Sequence, residues 1–177
     1  MKTAIFTLFT MLALTTVLYS DELPAYFDVS YHLGDYDVDG GPTVSPDAIR
    51  VGIGKFFHSN LAIESQFIAG VGEDTAKAKG VDVDVEIKNA ISIFLRGNVN
   101  LMQKANLFGL VGFTRGKLKA SSEILGDSSE SESGLSYGFG VDFELIEGLS
   151  FRSDYIFYFS EDDYDYTGIN IGAMIRF

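Results

Sequence analysis

Gly168-Ile169-Asn170-Ile171-Gly172-Ala173-Met174-Ile175-Arg176-Phe177 is the stretch whose reading decides the fold. Ile169, Ile171, Ala173, Ile175 and Phe177 fall on one parity, and Asn170, Gly172, Met174 and Arg176 on the other. Alternate side chains of a strand point to opposite faces, so period two means a strand with an apolar and a polar face. The preceding segments repeat the pattern. Leu149, Phe151, Ser153, Tyr155 and Phe157 alternate with Ser150, Arg152, Asp154, Ile156 and Tyr158. Leu135, Tyr137, Phe139, Val141 and Phe143 alternate with Ser136, Gly138, Gly140, Asp142 and Glu144.

Working toward the N-terminus, five more segments follow the rule. Their apolar rows are Phe27-Val29-Tyr31-Leu33, Ile49-Val51-Ile53, Leu61-Ile63-Phe67, Ile87-Ile91-Ile93-Leu95-Val99 and Leu107-Val111-Phe113. The polar row opposite the fourth includes Lys88, Ser92, Arg96 and Asn98; the row opposite the fifth, Phe108-Leu110-Gly112-Thr114, has the poorest contrast. The gaps alternate in length. Gly34 to Pro46, Gly70 to Gly80, Lys117 to Ser133 and Ser160 to Tyr166 are long; those around His58-Ser59-Asn60, Asn100 to Ala105 and Ile146-Glu147-Gly148 are short. Eight strands with alternating short and long connections predict an all-β, antiparallel up-and-down barrel with short periplasmic turns and longer outer loops.

A soluble lipid carrier of eight strands also alternates with period two. The membrane version is favoured by the composition of the faces. The apolar rows are bulky and aromatic. The polar rows are rich in Gly, which suits a cramped interior, and carry both signs of charge: Glu64, Arg96, Asp142, Arg152 and Asp154. Hydrocarbon offers the backbone no hydrogen bonds, so only a closed barrel lets strands span it.

Met1 to Ser20 reads as a signal peptide: Lys2, an uncharged and mostly apolar Ala4 to Leu18, then small Ser20 before Asp21-Glu22. The domain organisation is therefore 1–20 signal peptide and 21–177 barrel. The formal charge of −12 argues against nucleic acid as a partner. Zero Cys removes thiolate metal sites, and no cofactor is expected. Asp35-Tyr36-Asp37-Val38-Asp39-Gly40-Gly41 only partly follows a calcium loop, since Pro46 stands at its closing position, so the acidic gaps are read as solvated surface. Arg115, Lys117 and Lys119 share the lipid-facing parity at the outer end of the fifth strand, a place for lipopolysaccharide phosphates or for simple snorkelling.

The terminal run ending in Phe177 resembles the C-terminal signal of outer-membrane proteins. Tyr137 to Leu145 followed by Leu149 to Tyr155 resembles the last strands of the outer membrane protein A and outer membrane protein X family. The resemblance implies an eight-stranded barrel in the outer membrane of a Gram-negative bacterium. It implies that Ile171, Ala173, Ile175 and Phe177 are read by the barrel-assembly machinery after escort by periplasmic chaperones. It also implies that Glu64, Arg96, Asp142 and Arg152 stand where outer membrane protein A carries an interior acid–base cluster proposed as a gate. No periplasmic wall-binding domain is expected, which leans toward the small single-domain relatives. The expected role is structural or surface interaction, as a monomer with an unidentified surface ligand. The alternative is a narrow gated pore for ions or small solutes. Some eight-stranded barrels are lipid-A enzymes with a Ser–His–Glu arrangement facing lipid, but neither His32 nor His58 lies there, so no catalytic residue is assigned.

Overall fold

The computed structural model describes residues 23–38, 45–78, 81–122, 126–161 and 164–177. Of these, 37–38, 73–78, 81–86, 118–122, 126–130, 160–161 and 164 are described as backbone only. The described residues form nine strands and no helix: β1 (Ala25–Val38), β2 (Asp47–His58), β3 (Leu61–Gly70), β4 (Glu73–Ala78), β5 (Val81–Met102), β6 (Ala105–Ser122), β7 (Gly126–Ile146), β8 (Leu149–Glu161) and β9 (Tyr164–Arg176). All pairings are antiparallel, in the order β3-β2-β1-β9-β8-β7-β6-β5-β4, and β3 also pairs with β5, which closes the sheet. Both β3 and β4 pair with β5, so they form a single stave broken at Val71-Gly72, and the barrel has eight staves.

The short connections sit at one end with Ala25 and Phe177. They are Ser59-Asn60, Gln103-Lys104 and Glu147-Gly148. Gly148 takes φ 77°, a left-handed conformation that costs a side-chain-bearing residue strain. Ala25 and Phe177 exchange backbone hydrogen bonds of 2.8 and 2.9 Å, which seals the β1–β9 seam at that end. At the opposite end, much of what reads as long loop in the sequence is strand. β5 runs 22 residues and β7 runs 21, about twice the ~9–11 needed to cross a bilayer. β6 continues to Ser122, and its ladder with β7 reaches Ser122↔Gly126. The expected loop from Lys117 to Ser133 is therefore largely a hairpin extension.

The rows separate as a membrane barrel requires. Ile63 is 55% exposed and Phe139 64%, whereas Glu64 and Arg152 are fully buried. In water, so extensive an apolar exterior would be an aggregating surface; in lipid it is matched to its solvent. The soluble-carrier arrangement, with oily rows converging on a cavity, is excluded.

One expectation of parity is overturned. Ile87 was expected on the lipid face and Lys88 inside; a register shift between Ile87 and Asn89 reverses them, burying Ile87 and exposing Lys88. A second shift, between Phe157 and Phe159, turns both Tyr158 and Phe159 inward. A bulge inserts one unpaired residue, so alternation restarts on the other face.

Candidate functional site

The interior is built from three layers. At the periplasmic end Tyr26, Phe56, Ala62 and Met174 pack together, with Leu23 against them. At the outer end Ile68, Ile87, Phe94, Tyr158, Phe159 and Tyr166 belong to a larger apolar cluster. The expected charge-filled lumen has, in addition, apolar plugs above and below its charges. The outer plug owes its seal to the β8 bulge. Phe159 packs on Gly116 and Gly134: a Cβ at Gly116 would come within 3.2 Å of its ring, and one at Gly134 within 2.8 Å of its Cβ.

Between the plugs lies the charge network. Arg152 reaches three carboxylates: Glu64 at 2.8 Å, Asp154 at 3.1 Å and Asp28 at 3.2 Å. Arg50 bridges Asp154 at 2.7 Å and Asp28 at 3.0 Å. Arg96 pairs with Asp142 and, at 3.3 Å, with Glu64. The Tyr26 hydroxyl donates to Glu64 at 2.5 Å and the Gln66 amide donates to it at 2.6 Å. Arg96 stacks 3.8 Å from the Phe108 centroid, with Arg152 at 4.7 Å from the same ring. These guanidiniums are thus held by carboxylates at their edges and an aromatic face.

All five charged residues singled out in the sequence, Glu64, Arg96, Asp142, Arg152 and Asp154, lie in this network. Asp28, Arg50 and Tyr26 belong to it as well and were missed. Asp28 stands on a polar row and Arg50 on the next one. Which charge meets which is set by stagger around the barrel, which no row shows. Four buried carboxylates face three buried guanidiniums, a formal excess of one negative charge among the described residues.

A hydrogen-bond chain ties the network to the outer plug. Asn170 donates its amide to Asp154 at 2.7 Å, so its oxygen is free to accept from His32 Nδ1 at 2.8 Å. That assigns the proton to Nδ1 and leaves Nε2 to accept from the Tyr166 hydroxyl at 2.5 Å. A hydroxyl ladder runs beside it, with Ser92 and Thr114 at 2.7 Å and Ser136 donating to Thr114 at 2.6 Å. His58 sits exposed in a turn beside Ser59, at 3.2 Å. No group of acids or histidines among the described residues could hold a metal ion.

At the outer rim Arg115 and Lys117 are exposed on one outward row, opposite Ile91 and Asn89 of β5. Lys119 follows two residues on, opposite Glu86, and its side chain lies outside the described residues. The β5 bulge exposes Lys88 nearby, a basic residue the parity had placed inside. Ile171, Ala173, Ile175 and Phe177 form the exposed row of β9 and its end. Residues 1–20 and most of the acidic side chains between strands lie outside the described residues.

With the barrel closed and its faces assigned, the comparisons with known proteins bear on identity. A family model described as the outer membrane protein beta-barrel domain matches residues 4–177. The chain belongs to this family. It is an integral protein of the Gram-negative outer membrane. Ail, the attachment invasion locus protein of Yersinia pestis, was solved in complex with the heparin analogue sucrose octasulfate. It is 21% identical over 88% of this chain and 99% of its own, with a TM-score of 0.63. Neisserial surface protein A is 14% identical over 86% and 97%, with a TM-score of 0.61. OprG from Pseudomonas aeruginosa is 12% identical over 88% and 96%, with a TM-score of 0.58. At these identities the likeness is one of fold. A comparison with curated proteins returned no match.

Proposed function

We propose that this outer-membrane barrel is a sealed monomer with a structural and surface-facing role, rather than a conduit or an enzyme. The observation that carries the reading is the lumen: apolar plugs at both ends and an ion network between them. A permeating ion would have to displace guanidiniums already bound to carboxylates. Planar-bilayer recording of refolded protein tests this. Absence of discrete conductance supports the reading, and unitary openings in the parent protein would replace it with the narrow gated pore.

The basic rim supports a second part of the proposal. Arg115, Lys117 and Lys119, joined by Lys88, meet the phosphates of lipopolysaccharide. Lys and Arg near the interface cost only ~0–1 kcal/mol, so a few phosphate contacts outweigh their placement. Charge at this rim runs against the chain's overall −12. Arg115→Gln with Lys117→Gln should reduce lipopolysaccharide retained through purification; equal retention would reduce the rim to snorkelling.

Residues 1–20 act as the signal peptide and 21–177 as the mature barrel, which mass spectrometry of outer-membrane protein would check by its N-terminus. Ile171, Ala173, Ile175 and Phe177 present the row read by the assembly machinery, with periplasmic chaperones upstream. The seam bonds between Ala25 and Phe177 support this, because the last residue also completes closure. A surface ligand would meet the strand extensions of β5 to β7.

A further inference from the structure

Five buried side-chain polar atoms among the described residues have no hydrogen-bond partner: Arg50 Nε, Gln66 Oε1, Asn98 Nδ2, Asp142 Oδ1 and Arg176 Nε. Folded proteins partner nearly all such atoms, so each exception needs a reason. Three of the five, on Asn98, Asp142 and Arg176, lie toward the periplasmic end, and Arg176 itself lines a cavity there. A cavity of about 470 Å³ opens at the periplasmic mouth, its polar wall made by Asn100, Gln103, Asn106, Glu144 and Arg176. Asn98 lies two residues further in than Asn100 on the same row of β5. Asp142 lies two residues further in than Glu144 on β7, directly opposite Asn106 of β6. The unpartnered atoms are two donors and one acceptor.

The charges of this mouth behave unlike those above it. In the lumen centre every guanidinium is paired with carboxylates; here no ion pair joins Glu144 to Arg176. They stand on β7 and β9 with β8 between them, on the order of 10 Å apart across the sheet from strand spacing alone. The Arg176 guanidinium is steadied 5.6 Å from the Phe56 centroid, beside the apolar plug. The cavity thus offers an anion site and a cation site on strands one stave apart, amide groups beside them, and a size in the range of small-molecule pockets.

We infer that the periplasmic mouth binds a small zwitterion of the amino-acid or short-peptide class. Its carboxylate meets Arg176, and its ammonium meets Glu144. Asn100, Gln103 and Asn106 serve a peptide group, each able to donate and accept. A dipeptide, ~7 Å long when extended, spans what remains between the walls once both side chains reach inward. The site is separate from the outer rim, and the charge network closes it above, so a ligand docks without passing through.

The test uses full-length barrel refolded in lipid nanodiscs, with L-alanyl-L-alanine as the probe and isothermal titration as the readout. Saturable binding is expected. Acetylating the amine or amidating the carboxylate of the probe should each weaken it at least tenfold, as should Glu144→Gln and Arg176→Gln. Ser65→Ala, on the lipid face, should leave it unchanged. Heat-modifiable gel mobility checks that each variant is folded; if Arg176→Gln fails to assemble, Glu144→Gln and the two blocked probes decide. No saturable binding at millimolar dipeptide, or equal binding by the blocked probes, would overturn the inference and leave the three atoms to water. Conductance measurements are indifferent to this site, so its failure and that of the sealed-lumen reading are told apart.

Discussion

Arg152→Ala is the most demanding perturbation of this barrel. Its guanidinium donates four hydrogen bonds to three carboxylates: Nη1 to Asp28 and Glu64, Nη2 to Glu64, and Nε to Asp154. Each acid keeps another base, since Arg50 holds Asp28 and Asp154 and Arg96 holds Glu64. The loss therefore strands no single acid completely, but it doubles the excess of negative charge in a sealed space. Removing one partner of a buried pair costs ~3–5 kcal/mol, chiefly because the other is left desolvated. We expect destabilisation in that range, a shift of at least a hundredfold in the folding equilibrium. Urea titration of the refolded protein, followed by tryptophan-free fluorescence of its tyrosines and by heat-modifiable mobility, gives the midpoint and slope. Arg152→Ala combined with Glu64→Gln should recover part of the loss, since it removes the surplus charge. An Arg152→Ala barrel within ~1 kcal/mol of the parent at equal slope would refute the claim that this network carries the interior.

Phe159→Ala should open the outer plug above Gly116 and Gly134 and give measurable bilayer conductance where the parent gives none; a silent variant would show that the ion network alone seals the lumen. Gly54→Val drives a Cβ into the Tyr26 ring, which is pinned by its bond to Glu64, so folded yield on gels should fall sharply. Tyr137 and Phe157 stack across β7 and β8 at 4.8 Å, and a double-mutant cycle should report a coupling of ~0.5–1.5 kcal/mol; a coupling near zero would mean lipid replaces the contact fully. Exchanging Lys88 for Gln in a background lacking Arg115 and Lys117 charges should lower lipopolysaccharide retention further, whereas an inward Lys88 would instead lower stability.

The sequence by itself determined the eight membrane-crossing staves, their two faces and the side that meets lipid, but not the strand extensions beyond them. Side chains along a strand alternate whatever the strand pairs with, so rows such as Ile169 to Phe177 state their facing locally. Glu64, Arg96, Asp142, Arg152 and Asp154 could be placed inside for the same reason. What only the tertiary structure decided depends on neighbours. The irregularities that expose Lys88 and turn Phe159 inward restart the alternation because one residue goes unpaired in the ladder, and composition does not announce them. The membership of Asp28, Arg50 and Tyr26 in the charge network follows from how far each strand is staggered around the barrel. The plugs at both ends, and the open polar mouth beside the lower one, exist only once side chains from strands distant in sequence project into one enclosed volume.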